Sequence, residues 1–138
     1  MVLVIDTNII VSAIKAPTKK DANGNELLTK PQRLMYDVLN QKHKMVVSKA
    51  IYDEYADVLH RKELALSPIL VEKFLAIIKV YSIWIDPLPT DPHEVPMIDE
   101  DDRIFWDVAR CLKIRLVTGN FKHYPIDELR TSIDELYD

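Results

Sequence analysis

The sequence predicts one three-layer α/β/α domain over residues 1–138, with a mostly parallel central sheet of four or five strands. Short apolar runs that suit buried strands alternate with amphipathic helices along the chain. With 48% hydrophobic residues among 138, the chain is long and apolar enough to bury one core. Its eight prolines argue against a single long helical bundle.

The first half of the chain holds two of the predicted strands. Residues 2–5, VLVI, suit a strand that is buried on both faces, and a helix follows directly and ends before Pro17. Residues 16–30 are predicted to be a polar loop. KMVVS, residues 44–48, is the second strand, and Ser48 is placed to cap the next helix. Between them Pro31 opens a helix whose apolar face comprises Leu34, Met35, Val38 and Leu39.

The second half adds two more strands and a C-terminal tail. Residues 82–86, SIWID, are the third strand, and residues 114–118, IRLVT, are the fourth. Asp99 is predicted to cap a helix over residues 100–112, and the tail, residues 126–138, to hold a last short strand or helix. Ser67 and Pro68 open another helix, whose predicted apolar face comprises Leu70, Phe74, Ile77 and Ile78, widened by Ile69 and Leu75.

Composition narrows the classes of protein and of partner. No apolar run is long enough to span a membrane, and Met1 leads straight into a strand, so we expect a cytoplasmic protein without membrane contacts. Cys111, the single cysteine, has no internal disulfide partner, and its helical spacing predicts a core position. The net charge of −4 gives no overall attraction to nucleic acid. Short basic clusters such as Arg61–Lys62 could provide it locally, although each taken singly is better explained as solvated surface.

Acidic residues occur where parallel strands end. Asp6 follows the first strand, Glu54 lies early in the helix after the second, and Asp101 and Asp102 lie in the first turn of the helix that leads to the fourth. The carboxyl ends of parallel strands meet at one edge of the sheet, where ligands bind in such folds. Two polar residues at the end of the fourth strand join this edge: Thr118, its last residue, and Asn120, which follows it.

The chemistry of clustered carboxylates points to a hard divalent cation. Acids brought together raise one another's pKa unless a cation lies between them. Oxygen ligands without His or Cys suit Mg²⁺ or Mn²⁺ rather than zinc. Such ions activate water for attack on a phosphodiester, so the pattern favours metal-dependent phosphate-ester hydrolysis.

Each acid also has a purely structural explanation that the residues alone leave open. Asp6 could cap its helix, and Glu54 could be an exposed helix acid. Asp101 and Asp102 could complement the helix dipole. A phosphatase with Asp6 as nucleophile is disfavoured, because its fold expects a second aspartate where Asn8 stands, and the chain has no glycine-rich phosphate loop.

Four segments, in order, resemble the PIN-domain nucleases: VIDTNIIVSAI, VVSKAIYDEYADVL, DEDDRIFWDVA and RLVTGNFKHYP. Together they extend from residue 2 to about residue 125. The last motif is similar to that of VapC-type toxins of toxin–antitoxin pairs. The resemblance implies one PIN-like nuclease domain that hydrolyses RNA with Mg²⁺ or Mn²⁺. It further implies a homodimer, and a cognate antitoxin whose segment blocks the acidic cleft.

By position, the resemblance assigns the metal-binding and catalytic roles to Asp6, Glu54 and Asp102. Asp102 is selected by its offset from Ala109, and Asp101 is kept in reserve. The resemblance also implies three supporting residues: Asn8, which braces the first turn, and Thr118 and Asn120 beside the metal.

The chain departs from the family pattern at the fourth acid. Some relatives have aspartate at the position of Asn120, and others have it at the position of His123, but neither aspartate is present here. Asp99, Asp101 or Asp107 could compensate, although periodicity puts Asp107 on the polar side of its helix. His123 is a phosphate contact, a pH-sensitive substitute for the missing acid, or a surface or packing residue. The alternative function is therefore a catalytically weak or inactive PIN-like module that binds RNA or protein.

Overall fold

The computed structural model describes residues 1–137 and confirms the predicted three-layer α/β/α architecture. The strands are β1 Val2–Ile5, β2 Lys19–Lys20, β3 Glu26–Leu27, β4 Lys44–Val47, β5 Ile83–Trp84, β6 Arg115–Thr118 and β7 Arg130–Ser132. The helices are α1 Thr7–Lys15, α2 Lys30–Leu39, α3 Lys49–Leu59, α4 Pro68–Tyr81, α5 Arg103–Leu112 and α6 Ile133–Leu136. Short 3₁₀ turns occupy Lys62–Leu64, Glu100–Asp102 and Phe121–His123.

Five strands form the central sheet in the order β5-β4-β1-β6-β7, and every pairing is parallel. The inner strands β1, β4 and β6 are buried apart from their first residues, which explains their continuous apolar runs. Because all strands point the same way, the residues that follow Ile5, Val47 and Thr118 meet at one edge of the sheet. We call this the carboxyl edge of the sheet. The sequence predicts the site residues to lie there.

Two helix faces differ from the periodicity-based prediction. In α4 the buried residues are Val71, Leu75 and Ile78, whereas Leu70 is 42% exposed. The helix carries apolar residues on most of its circumference, so periodicity does not select the face that packs. At the end of α2 Leu39 is exposed as well, unlike the rest of its predicted stripe.

Residues 16–30 contain more structure than the predicted polar loop. β2 and β3 pair antiparallel as a small hairpin. Asp21 Oδ1 accepts hydrogen bonds from the backbone N–H groups of Asn23 and Asn25, and Gly24 adopts φ +81° in the turn. The hairpin was missed because its strands are two residues long and carry no alternating pattern.

Two buried charged residues hold the proline-rich loop after β5 onto α5. Asp107, predicted on the polar side of its helix, is buried, and its Oδ1 accepts from the backbone N–H and the hydroxyl of Thr90, both at 2.7 Å. Arg103 donates to Thr90 Oγ1 and to the carbonyl of Val95, both at 2.7 Å, and pairs with Glu100. The polar side of α5 is therefore covered by this loop at Arg103 and Asp107, whereas Arg110 further along the same side is exposed.

The remaining predictions concern Cys111, the tail and membrane contacts. Cys111 is exposed, so the predicted core position is wrong, because burial along α5 ends at Ala109 and the last three residues of the helix are exposed. The tail forms both a strand and a helix, β7 and α6; its last residue, 138, lies outside the described part of the chain. Over residues 1–137, no helix combines the length and the apolar character that a membrane crossing needs.

Candidate active site

Asp6 lies at the end of β1 with its carboxylate directed at the neighbouring strand. Its side chain is almost fully buried, and Oδ2 accepts hydrogen bonds from Thr118 Oγ1 at 2.7 Å and from the Tyr124 hydroxyl at 3.2 Å. The strand register explains the first contact, because Ile5 pairs with Val117 and the next two residues are Asp6 and Thr118. Asp6 occupies the N-cap position of α1, but its side chain makes no capping hydrogen bond.

Burial is the main influence on this carboxyl. It raises the pKa of Asp6 above its ordinary value, because the charged form loses hydration. The hydrogen bonds from Thr118 and Tyr124 oppose that rise, since they stabilise the charged form. Asp6 is thus a carboxylate held by two hydroxyls in a poorly solvated place.

Glu54 comes from α3 and is tied to the residue after Asp6. Its Oε2 accepts a hydrogen bond from Thr7 Oγ1, the first residue of α1. Burial raises the pKa of Glu54, and the negative charges of Asp6 and Asp101 add to the rise. Arg61, two turns further along the chain, acts in the opposite direction.

Asp102 ends the 3₁₀ turn that precedes α5 and is half-buried. Its Oδ2 lies 3.3 Å from His123 Nδ1. Burial raises the pKa of Asp102 to about 6, with further contributions from the charges of Asp6 and Asp99. The reserve residue Asp101 is exposed in the same turn.

Two consecutive residues connect the first and third acids. His123 contacts Asp102, and Tyr124, the next residue, donates to Asp6. Burial raises the pKa of Tyr124 far above its ordinary value, and the charges of all three acids, Glu54 included, contribute. The Tyr124 hydroxyl therefore stays protonated as a donor, and it lies within electrostatic reach of all three predicted acids.

The predicted supporting residues have different surroundings. Thr118 is fully buried, donates to Asp6 and accepts from the backbone N–H of Asn120 at 2.8 Å. Asn8 is exposed, and neither its side chain nor that of Asn120 hydrogen-bonds to another residue in the described chain. The turn after β1 is tied by Thr7 instead.

Sequence reasoning missed Thr7 and Tyr124 as members of this site. Thr7 is next to Asp6 in the chain, so its position alone could have identified it as a member of the site. Tyr124 lies 118 residues from the acid that it contacts, and nothing in its neighbourhood distinguishes it from an ordinary core tyrosine.

The donor set suits a hard cation, although it is not assembled as a ligand cluster. Among residues 1–137, no three His, Cys, Asp or Glu side chains are placed to hold one metal ion together. Each predicted acid uses one oxygen in the contacts above: Oδ2 of Asp6, Oε2 of Glu54 and Oδ2 of Asp102. The second oxygen of each accepts no side-chain hydrogen bond in this region. These are oxygen donors whose pKa values are raised mainly by burial, and the charge of Asp6 adds to the rise at Glu54 and Asp102, which fits Mg²⁺ or Mn²⁺ chemically.

Shallow basins adjoin the acids. One, of about 530 Å³, includes Asn8 and Arg61, close to Glu54. Another, of about 390 Å³, includes Lys122, His123 and Tyr124, next to Asp102. Both carry basic side chains beside the acidic centre.

Comparison with known proteins identifies the family. A family model described as PIN domain matches residues 2–122, and no curated protein matches the chain. PIN domains are generally nucleases, and those nucleases usually use divalent metals. Since the match covers most of the sequence and the fold agrees with it, the chain belongs to the PIN-domain family.

Proposed function

We propose that this protein is a metal-dependent endoribonuclease that hydrolyses RNA phosphodiesters, with Asp6, Glu54 and Asp102 as its catalytic and metal-binding residues. The proposal is supported by contacts that link acids from separate elements: Tyr124 donates to Asp6, its neighbour His123 contacts Asp102, and the charges of Asp6, Asp102 and Glu54 all raise the pKa of Tyr124. A structural role explains each acid singly, but it does not explain why they share one edge of the sheet. A nuclease centre explains all three together.

The side chains around the acids orient them. Thr118 and Tyr124 both hold Oδ2 of Asp6, Thr7 holds Oε2 of Glu54, and His123 contacts Oδ2 of Asp102. Asp6, Glu54 and Asp102 would hold Mg²⁺ or Mn²⁺, with Thr118 beside them. When bound, the ion supplies charge neutralisation and lowers the pKa of water for attack on phosphorus.

The proposed centre carries three acids rather than four. Asn120 stands where some relatives have an aspartate, and it adds no charge. Asp99 and Asp101 supply nearby negative charge through the 3₁₀ turn, and their influence is visible in the raised pKa values of Asp102 and Glu54 respectively. We infer that the site carries less negative charge than a four-acid centre but enough to bind a divalent cation.

Basic side chains near the acids support an RNA substrate despite the net charge of −4. Arg61 lies near Glu54, and Lys122 and Arg130 line the basin next to Asp102. Cations on both flanks of an acidic centre suit a phosphodiester backbone that crosses it. RNA, rather than a small phosphate ester, is therefore the substrate that we propose, and the cytoplasm is where we propose that it acts.

We further infer that the protein is the toxin of a VapC-type toxin–antitoxin pair, acts as a homodimer and is inhibited by a cognate antitoxin. An apolar groove of about 310 Å³ supports a protein partner. Exposed apolar patches of this kind mark interaction sites in many proteins. Its lining includes Leu27, Leu28, Tyr36, Leu39 and Leu70, all at least 37% exposed. Co-purification with a protein encoded next to it, and loss of RNA cleavage in that complex, would support the pairing.

A cleavage assay tests the proposal. Purified wild-type protein is expected to cleave single-stranded RNA in Mn²⁺ and not in EDTA, and Asp6→Asn is expected to abolish cleavage while retaining the fold. Asp53→Asn is the matched control, because Asp53 is an exposed acid on α3 that pairs with Lys49. Full cleavage by pure, folded Asp6→Asn would refute the assignment.

The second candidate function is a catalytically weak or inactive PIN-like module that binds RNA or protein. The neutral Asn120 and the unassembled ligand set favour it. Calorimetric titration with Mn²⁺ discriminates the two. Binding that Glu54→Gln weakens favours the nuclease, whereas heat changes that are absent from both proteins favour the binding module.

A further inference from the structure

Positive side chains gather at the edge of the sheet that lies opposite the carboxyl edge. Lys42 and Lys44 lie at or just before the start of β4, and Lys113 and Arg115 lie at or just before the start of β6. Both strands pair with β1, and Lys44 and Arg115 lie opposite consecutive residues of it. Two basic clusters that are far apart in the sequence are therefore separated by a single strand in the fold. We call these four residues the amino-edge patch.

The side chains of the patch are available to a ligand. All four are exposed, and none forms an ion pair within residues 1–137. Of the acids nearby, Asp37 near the end of α2 accepts from the hydroxyl of Tyr137, and Asp127 before β7 pairs with Arg110. Glu128, in the turn before β7, is the exposed acid on that side. The patch therefore keeps most of its positive charge.

The distance between the two edges separates this charge from the acids. β1, β4 and β6 are each four residues long, so each spans about 13 Å. At physiological ionic strength, interactions between exposed charges are largely screened beyond about 8 Å. The exposed acids of the carboxyl edge, such as Asp101, are therefore largely screened from the patch. The amino edge is locally positive although the net charge of the chain is −4.

Lys113 stands where the backbone favours glycine. It ends α5 with φ 55°, in the left-handed region that glycine adopts most easily. A side chain at this position lowers stability relative to glycine, so the turn itself does not call for a lysine. The helix dipole favours a cation after α5, but it gives no reason for Lys44 and Arg115, which lie in strands. An anionic ligand accounts for all four residues together.

We propose that the amino-edge patch binds the phosphate backbone of the RNA, on the opposite side of the sheet from Asp6, Glu54 and Asp102. The inference rests on the proposed ribonuclease function and adds a second contact with its substrate. Lysine and arginine side chains bind phosphates through charge and do not read the bases. A folded RNA that extends past both edges of the sheet contacts the acids and the patch at once.

Fluorescence anisotropy in EDTA tests this, because binding is then measured without cleavage. The probe is a fluorescein-labelled RNA hairpin of about 20 nucleotides, titrated at several KCl concentrations between about 50 and about 200 mM. Lys42→Gln and Lys44→Gln are each expected to weaken binding and to reduce the slope of log affinity against log salt by about one. Lys73→Gln is the matched control, because it removes the same charge from an exposed lysine on α4, outside the patch. Its slope should equal that of the wild type.

Lys113→Gly separates binding from folding. It is expected to raise the urea midpoint, because glycine adopts the left-handed conformation at this position without the strain of a side chain. The same substitution is expected to reduce the salt slope by about one. A loss of RNA affinity in a more stable protein does not come from unfolding.

The proposal fails on any of three results. They are no binding of the hairpin by the wild type, salt slopes in all three patch variants that equal the wild-type slope, and an equal loss of affinity in Lys73→Gln. Unchanged RNA affinity with weakened binding of a co-purified partner protein would assign the patch to that protein instead. Cleavage in Mn²⁺ is scored separately: patch-dependent binding without any cleavage refutes the nuclease function alone, and cleavage with unchanged RNA affinity in the patch variants refutes the patch alone.

Discussion

The carboxyl of Asp102 allows a quantitative test of the acidic centre through protein stability. Its pKa is raised from 3.8 to about 6 in the folded protein. The groups that face it are Asp6 at the end of β1, Asp99 in its own turn and His123 after β6. Replacing Asp102 by Asn removes the charge and keeps an oxygen that accepts from His123. We expect Asp102→Asn to stabilise the protein at alkaline pH in EDTA.

The direction follows from proton linkage. Because the folded-state pKa is higher than the unfolded-state value, the folded protein binds this proton more tightly. Ionisation of Asp102 therefore costs stability as the pH rises from 3.8 through about 6, and the cost is complete above that pH. Near pH 4 the carboxyl is largely protonated in the folded state, so the substitution changes little there.

The magnitude follows from the shift. A difference of about two pKa units corresponds to at most about 3 kcal/mol. Solvent reaches part of this side chain and screens its interactions, which reduces the expected gain to about 1 kcal/mol. Asp102→Asn should therefore raise the free energy of unfolding by about 1 kcal/mol more at about pH 8 than at about pH 4.

Urea denaturation of the wild type and Asp102→Asn at both pH values, in EDTA, measures this difference. Asp101→Asn is the matched control, because Asp101 is exposed in the same turn, and its effect should stay within about 0.5 kcal/mol at either pH. A gain of equal size at both pH values would contradict the reasoning. So would a gain in Asp101→Asn that matches that of Asp102→Asn.

Three further changes probe the same region. Mn²⁺ at about 100 times its Kd should stabilise the wild type by about 2.7 kcal/mol in scanning calorimetry, and stabilisation that persists in Asp6→Asn or Glu54→Gln would contradict the ligand assignment. Tyr124→Phe should lower the free energy of unfolding by about 1–2 kcal/mol at neutral pH, because Asp6 loses a hydroxyl donor; an unchanged urea midpoint would mean that this hydrogen bond contributes nothing. Arg103→Met should cost about 1–3 kcal/mol in the same assay, because it leaves the half-buried carbonyl of Val95 and hydroxyl of Thr90 without their donor. Arg110→Ala, at an exposed ion pair, should cost less than about 0.5 kcal/mol.

The order of strands and helices was predictable because it depends on local pattern. The segments at residues 2–5, 44–47 and 115–118 each contain a short apolar run, and each forms a parallel strand that is buried after its first residue. Ser48 caps α3 as predicted, with its hydroxyl accepting from Ile51. The β2–β3 hairpin was not predictable, since two-residue strands leave no periodic signal.

The face that a helix buries and the burial of its charges were decided by neighbouring elements. α4 has apolar residues all round, so only its packing against the rest of the domain selects Val71 over Leu70. Asp107 is buried because a loop that begins some twenty residues earlier folds back and donates to it through Thr90. A sequence pattern assigns charged residues to solvent by default, and such a loop reverses that assignment.

For the candidate site, the sequence by itself determined which acids could meet. Asp6 follows β1, Glu54 lies in the helix after β4, and an acid in the turn before α5 lies at the same edge, where the resemblance to PIN domains selects Asp102 over Asp101. Only the tertiary structure decided how each acid is held: by Thr118 and Tyr124, by Thr7, and by His123. The physical reason is the separation along the chain of the residues that interact. The positions of strands and helices along the chain follow from local sequence pattern, whereas a hydroxyl reaches a carboxylate more than a hundred residues away only after the whole domain has packed.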